Sequence, residues 1–313
     1  MKRREALKLF ASAALLGAAG GCRPAGRERA ASAKAGTTHE PSLEAIGGIA
    51  PALRGGAMSM PVIFLAHGSP MLLDDARWVD ELRRWAGALP RPHAVLMLSA
   101  HWEARPVTLG ATRTVPLVHD FYNFPERYYR VTYPAPGAPQ LAERLRALLG
   151  AAAVADEPAR GLDHGAYVPM LAMYPNADVP TLQMSLPSLD PRALFALGSA
   201  LAPLRREGVL IVGSGFLTHN LRAMNMAADA STPAWAAEFD AWSADVLARK
   251  DVDALLDYSR RAPGVQMALP THEHFAPVVA ATGAALAAGG SEVTFPITGF
   301  LAGSLTRRSV QFG

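Results

Sequence analysis

Pro61-Val62-Ile63-Phe64-Leu65-Ala66-His67-Gly68-Ser69-Pro70 is an apolar run that ends on an imidazole and a turn. A short run without alternation, bounded by Gly and Pro, reads as a strand buried on both faces. Two further segments repeat the pattern. Ala94-Val95-Leu96-Met97-Leu98-Ser99 runs into His101-Trp102, and Val209-Leu210-Ile211-Val212 runs into Gly213-Ser214-Gly215 with His219-Asn220 just beyond. In an open α/β sheet, ligands bind in the crevice outside the carboxyl ends of the strands, so histidines far apart in sequence can meet there. This arrangement points to a metal centre.

Outward from these strands, the sequence alternates helix-like and strand-like segments. Residues 76–89 carry an amphipathic pattern that stops at Pro90, and 141–149 form a helix after the turn-rich Tyr133-Pro134-Ala135-Pro136-Gly137. A strand is predicted over 179–185, followed by a helix that starts at Asp190-Pro191 and runs to 204. Helices over 233–248 and 275–288 and strands over 292–300 and 304–312 complete the chain. The alternation predicts an α/β fold: a mostly parallel or mixed central sheet covered by helices on both faces, as a single domain over residues 60–313. With 313 residues, half of them hydrophobic, the chain is long enough to bury a sizeable core.

The amino-terminal segment reads differently. Lys2-Arg3-Arg4 precedes Leu7-Lys8-Leu9-Phe10 and an apolar run over 11–19, too short to span a bilayer as a helix. Residues 1–22 are therefore read as an export signal similar to a twin-arginine leader. Cys22 follows Ala19-Gly20-Gly21, the place of a lipid anchor, and residues 23–59, rich in Ala, Gly, Arg and Ser, read as a flexible tether. The expected location is outside the cytoplasm, periplasmic or membrane-tethered as a lipoprotein. Cys22 is the only cysteine, which excludes an intramolecular disulfide and thiolate ligands in the body. The same segment explains the pI of 9.2: residues 1–34 hold eight Lys or Arg against Glu5 and Glu28, so a stretch at +6 within a chain at +3 leaves the remainder at −3. A mildly acidic body does not offer the basic face that nucleic acid requires.

His67 and His101 each have a structural alternative as sheet-end residues, and the pair together is harder to dismiss. His164 follows Asp163, which also suits an Asx-turn, and His219 follows a Gly-Ser-Gly that lacks the spacing of a dinucleotide fingerprint. His272-Glu273-His274 is expected to open the helix after Pro270-Thr271; with two-residue spacing only one imidazole points into a site and the other is solvated. His119-Asp120-Phe121 either binds substrate or braces a loop, while His39 in the tether and His93 beside Pro92 are read as non-functional.

Ordered phrases along the whole body carry a resemblance. His67-Gly68-Ser69-Pro70-Met71, Ser99-Ala100-His101-Trp102, His119-Asp120-Phe121, Leu162-Asp163-His164-Gly165, Thr218-His219-Asn220-Leu221-Arg222, Glu273-His274 and Gly303-Ser304-Leu305 resemble the class III extradiol ring-cleavage dioxygenases, in their 4,5-DOPA dioxygenase-like branch. The resemblance makes residues 60–313 a catalytic domain. It implies metal ligation by His67, His101 and His274, with His219 as a fourth ligand or an acid/base, and proton transfer or substrate binding by His164. It implies one Fe(II) or Zn(II) per chain, a small catecholic substrate and O₂. His119, with Trp102, Phe121 and Tyr122, would bind the substrate ring. Two other readings stay open from the residues: a zinc-dependent hydrolase with Glu273 or a histidine as base, and a non-enzymatic envelope protein that sequesters metal.

Overall fold

The computed structural model describes residues 59–227, 230–287, 289 and 292–313. The export signal, Cys22, His39 and all of the tether except Ser59 lie outside the described residues.

In chain order the strands are β1 (Val62–Ala66), β2 (Ala94–Glu103), β3 (Val107–Leu109), β4 (Val154–Asp156), β5 (Thr181–Leu186), β6 (Val209–Gly215), β7 (Val293–Ile297), β8 (Phe300–Leu301), β9 (Leu305–Thr306) and β10 (Ser309–Phe312). The helices are α1 (Ala76–Ala88), α2 (Pro139–Leu149), α3 (His164–Met173), α4 (Pro191–Leu201), α5 (Ala234–Arg249), the short α6 (Val252–Leu256), α7 (Tyr258–Arg261) and α8 (Val265–Ala268), and α9 (Ala276–Leu286). Eight strands form one mixed sheet in the order β4-β3-β5-β2-β6-β1-β10-β7. Its centre, β5-β2-β6-β1, is wholly parallel, and the antiparallel pairs β3–β5, β1–β10 and β10–β7 lie toward its edges.

The continuous apolar runs are explained by burial on both faces. Alternate side chains of the central strands enter different cores, as period-two geometry requires. Phe64, Leu96 and Ile211 pack with α2, α4, α5 and α9, whereas Leu65, Met97 and Val212 pack with α1 and α3. Each layer is started by local chemistry. Asp75 caps α1 by accepting from Trp78 N at 3.0 Å, and the helix buries Trp78, Leu82 and Trp85, a single stripe. Asp190 caps α4 through Ala193 N at 2.8 Å, with Pro191 at the first turn. α9 is apolar all round and its residues from Ala276 to Ala285 are all buried, so it is a core helix rather than a surface one.

Several boundaries depart from the sequence expectation. His101 lies inside β2, not beyond it. The helix expected to reach 204 ends at Leu201 and tightens into a 3₁₀ turn, Ala202–Glu207, where Pro203 lacks the N–H for a further α turn. His272-Glu273-His274 does not open a helix; it sits in a turn, and α9 begins at Ala276 with Pro277 in its first turn. The two closing strands are each broken, because between Ile297 and Ser309 the chain leaves the sheet to make the small β8–β9 ribbon.

Candidate metal centre

The carboxyl ends of the parallel strands set the positions. Ala66 of β1 is in register with Gly215 of β6, and Ser99 of β2 with Ser214 of β6, so His67, His101 and the Phe216–His219 segment leave the sheet at one edge. His164 enters as the first residue of α3, which Asp163 caps by accepting from Ala166 N at 3.2 Å. His274 arrives from the turn before α9. Phe216 N donates to His274 O at 2.9 Å, and a Cβ on Gly215 would lie 2.1 Å from that same oxygen, so only glycine lets the turn close on β6. Gly213 does the same for α9, its missing Cβ lying 2.5 Å from Pro277 O. The Gly-Ser-Gly phrase is thus a buried part of β6 that admits backbone, and it is not an open phosphate cradle.

Five imidazoles converge. Ring centroids are 4.9 Å apart for His67–His101, 5.4 Å for His67–His274, 4.9 Å for His101–His274 and 4.0 Å for His101–His164, and His219 stacks on His274 at 3.4 Å and 12°. Donor atoms of His67, His101 and His164 lie within 4.8 Å of one another, as do those of His219, Glu273 and His274.

Hydrogen-bond partners assign the tautomers. Ser214 Oγ donates its one proton to Gly165 O at 2.5 Å, so toward His67 Nδ1, 3.0 Å away, it accepts. His67 therefore carries its proton on Nδ1 and leaves Nε2 bare. His274 Nδ1 faces Glu273 Oε1 at 2.9 Å, a carboxylate that accepts, so its Nε2 is bare as well, and His101 Nδ1 lies 3.4 Å from Asp120 Oδ2. Nε2 of His67 and Nε2 of His101 face each other 3.1 Å apart, and Nε2 of His274 is buried without a hydrogen-bond partner among the described residues. Buried acceptors of this kind are costly unless something positive lies among them. A cation would relieve the facing pair, and a carboxylate or hydroxyl behind each ring is the arrangement that orients metal-binding histidines.

Electrostatics agree. Burial first, and then repulsion from the neighbouring imidazoles, hold His67 and His274 well below the ordinary histidine pKa. The same holds for His101, where the Asp120 carboxylate opposes the fall without reversing it. Burial, then the charge of His164, takes His219 down to about 4. These rings are neutral at ordinary pH, the form that ligates. At His164, Asp120 Oδ1 accepts from both Nδ1, at 2.7 Å, and the backbone N, at 3.1 Å. Burial would raise the Asp120 pKa, but the hydrogen bonds and charges of His164 and His101 outweigh it and hold the carboxyl at about 2.

Comparison with known proteins gives this geometry a family. Residues 61–299 match the family described as the catalytic LigB subunit of aromatic ring-opening dioxygenase. The chain belongs to this family. The dioxygenase is similar to 4,5-DOPA dioxygenase extradiol of Escherichia coli (strain K12), 40% identical over 260 residues that make up 81% of this chain and 95% of that protein. It is 41% identical to 4,5-DOPA dioxygenase extradiol of Beta vulgaris over 230 residues, 71% of this chain and 85% of that one. The crystal structure of an uncharacterized protein from Escherichia coli K12 superimposes with a TM-score of 0.70 at 35% identity, covering 81% of this chain and 100% of that chain. The activity is metal-dependent extradiol opening of an aromatic ring.

The dioxygenase presents its histidines to a cavity of about 280 Å³. His67, His101, His164, His219 and His274 form its floor, and Phe121, Tyr122, Phe124, Phe216 and Leu305 its apolar walls. Two residues expected at the substrate ring stand elsewhere. His119 is not on the wall; its ring packs edge-on against Phe121 and Tyr167, with centroids 5.7 and 6.1 Å away. Trp102 is buried behind the floor under the Arg160 guanidinium, 4.4 Å from its ring centroid. His272 is not solvated either, since its Nδ1 bonds the Tyr258 hydroxyl at 2.8 Å and the residue is half-buried. Asp120, between His119 and Phe121, is the functional residue that sequence reading passed over. The need of an acid/base imidazole for a carboxylate on its far nitrogen was the available signal.

Proposed function

We propose that this dioxygenase opens a small catechol at an ion held by Nε2 of His67, His101 and His274. The observation that carries this reading is the convergence of three rings, with Nε2 of His67 and His101 3.1 Å apart and Nε2 of His274 buried without a partner among the described residues. Fe(II) is the working metal we infer, because the reaction moves electrons to O₂ and zinc, which suits the same imidazoles, has no redox chemistry. Bound there, Fe(II) supplies chelation of the two diol oxygens and an electronic path between the ring and O₂.

The chain's own groups then divide the remaining work. His164 is the acid/base: Asp120 fixes its proton on Nδ1, leaving Nε2 to take a phenolic proton, and the ionised carboxylate stabilises the imidazolium that results. His219, held at about 4, is too weak a base for that task at neutral pH and lies stacked on His274, where it serves as a fourth donor. Phe121, Phe124 and Phe216 enclose the ring and exclude water. A cavity of about 280 Å³ suits a single-ring catechol. Hydrolysis is not favoured, since the family matched over residues 61–299 is one of aromatic ring-opening dioxygenases.

Anaerobic Fe(II) loading followed by oxygen-electrode assay with 4-methylcatechol tests the reading. Uptake of one O₂ per ring with a ring-opened semialdehyde product supports it; no uptake at full Fe(II) occupancy rejects it. We also propose export through residues 1–22 by the twin-arginine route, with lipid attachment at Cys22 and residues 23–59 as tether, supported by the Lys2-Arg3-Arg4 cluster, the apolar run and the small residues before Cys22. A reporter fused to residues 1–34 should leave the cytoplasm only with Arg3 and Arg4 intact, and export of the Arg3→Lys/Arg4→Lys fusion would point to the general secretory route.

A further inference from the structure

The metal-centre cavity does not end at its aromatic walls. Ser69, Met224 and Leu301 line it on one side and also line a second, larger chamber of about 440 Å³. The polar side chains of that chamber are committed to the protein. Ser69 Oγ accepts from Met71 N at 3.3 Å, Asp75 caps α1 through Trp78 N, and Asp74 accepts from the Tyr128 hydroxyl at 2.6 Å and from Arg127. The rest of the wall is contributed by Met71, Leu72, Met224, Met226 and Leu301 and by the indole of Trp78, whose Nε1 is buried without a hydrogen-bond partner among the described residues. Methionines on such a wall adapt to flexible apolar guests without demanding one shape.

We propose that the second chamber is a subsite for an elongated apolar substituent on the catechol, so that the enzyme takes alkyl- or aralkyl-catechols whose arm passes Ser69, Met224 and Leu301. The inference rests on the ring-opening reading of the first cavity, with which the chamber shares those three walls. An apolar arm fits because it asks for no hydrogen bond from groups already engaged, and because each methylene buried can favour binding by up to about fourfold. A ring substituent can use the chamber while the diol stays among the histidines, since Ser69, Met224 and Leu301 border both spaces.

Ala76, at the start of α1 and exposed, lines this chamber and no part of the first cavity, so Ala76→Trp fills it without touching the histidines. Anaerobic dissociation constants and aerobic KM are to be compared for 4-methylcatechol and 4-hexylcatechol on the Fe(II)-loaded enzyme, with Met226→Trp as a second filling variant. The expected result is at least about tenfold tighter binding of the hexyl compound by the unaltered enzyme, a gain lost in both variants while 4-methylcatechol is opened as before. Equal affinity for the two catechols, or a hexyl advantage that survives both variants, overturns the subsite. If the affinity pattern holds and neither catechol is opened, the ring-cleavage reading falls and the chamber stands; if both are opened with equal KM, the reverse is true.

Discussion

At the scale of single residues, the site rests on what stands behind each imidazole. Ser214 and Glu273 each hold an Nδ1 proton outward and leave the opposite nitrogen bare, and Asp120 lies 3.4 Å behind Nδ1 of His101. His164 is tied to the same Asp120 carboxylate, which joins the proton-transfer residue to His101 through one side chain. His164→Ala should therefore keep its metal and its catechol affinity while losing on the order of 10²–10⁴ in kcat. Metal analysis beside steady-state kinetics checks this, and metal loss in that variant would move His164 among the ligands. Asp120→Asn should lower kcat by about 10–100-fold and weaken metal retention together, because the amide no longer stabilises a cationic His164 or the His101 tautomer. Unchanged kcat in that variant would remove Asp120 from the mechanism. The imidazoles themselves were legible in sequence, since each stood at a strand end or turn. Asp120 was not, because a carboxylate in a loop gains its meaning only from His164, 44 positions on.

Elements bring these residues together by close backbone contact more than by side-chain packing. β6 admits the turn before α9 because Gly213 and Gly215 present no Cβ to Pro277 O and His274 O. Gly215→Ala should displace His274, reduce metal content and destabilise the fold by about 1–3 kcal/mol, the usual cost of overpacking a core. Urea unfolding with metal analysis measures both, and a variant of full stability and full metal content would contradict this role for the glycine. The buried strands β1, β2, β5 and β6 and the helices α1, α4, α5 and α9 could be read from apolar runs, caps and prolines. The three-residue β3 and β4 and the two-residue β8 and β9 could not, because so few residues carry no periodicity. The start of α9 was misplaced because His272 and Glu273 looked compatible with a first helical turn, whereas the contact of His274 O with Phe216 N holds that stretch as a turn.

For the whole molecule, two buried and two half-buried neutral histidines make the metal-free protein sensitive to acid. His67, His101 and His274 sit well below the unfolded value of 6.5 and His219 at about 4, so between these limits the unfolded chain binds more protons than the folded one. Stability is then fully present above about pH 6.5 and is lost as pH falls toward 4. Asp120, depressed from 3.8 to about 2, adds a further loss only below that range. Urea midpoints of the apoprotein from pH 7.5 to pH 4.5 should fall steadily, and a flat profile would show that these rings are not buried neutral. Sequence reading reached the layered α/β architecture and the converging strand ends, but not the cavity walls, because loops and the β8–β9 ribbon supply them by tertiary placement. The central claim is that His67, His101 and His274 jointly hold one ion, and metal-linked thermal stability tests it most directly. Zinc at about 100 times its Kd should stabilise the apoprotein by about 2.7 kcal/mol, read as a rise in Tm. The account predicts that this rise disappears in His67→Ala, His101→Ala and His274→Ala and persists in His164→Ala. A full rise with one ion per chain in His274→Ala would contradict it.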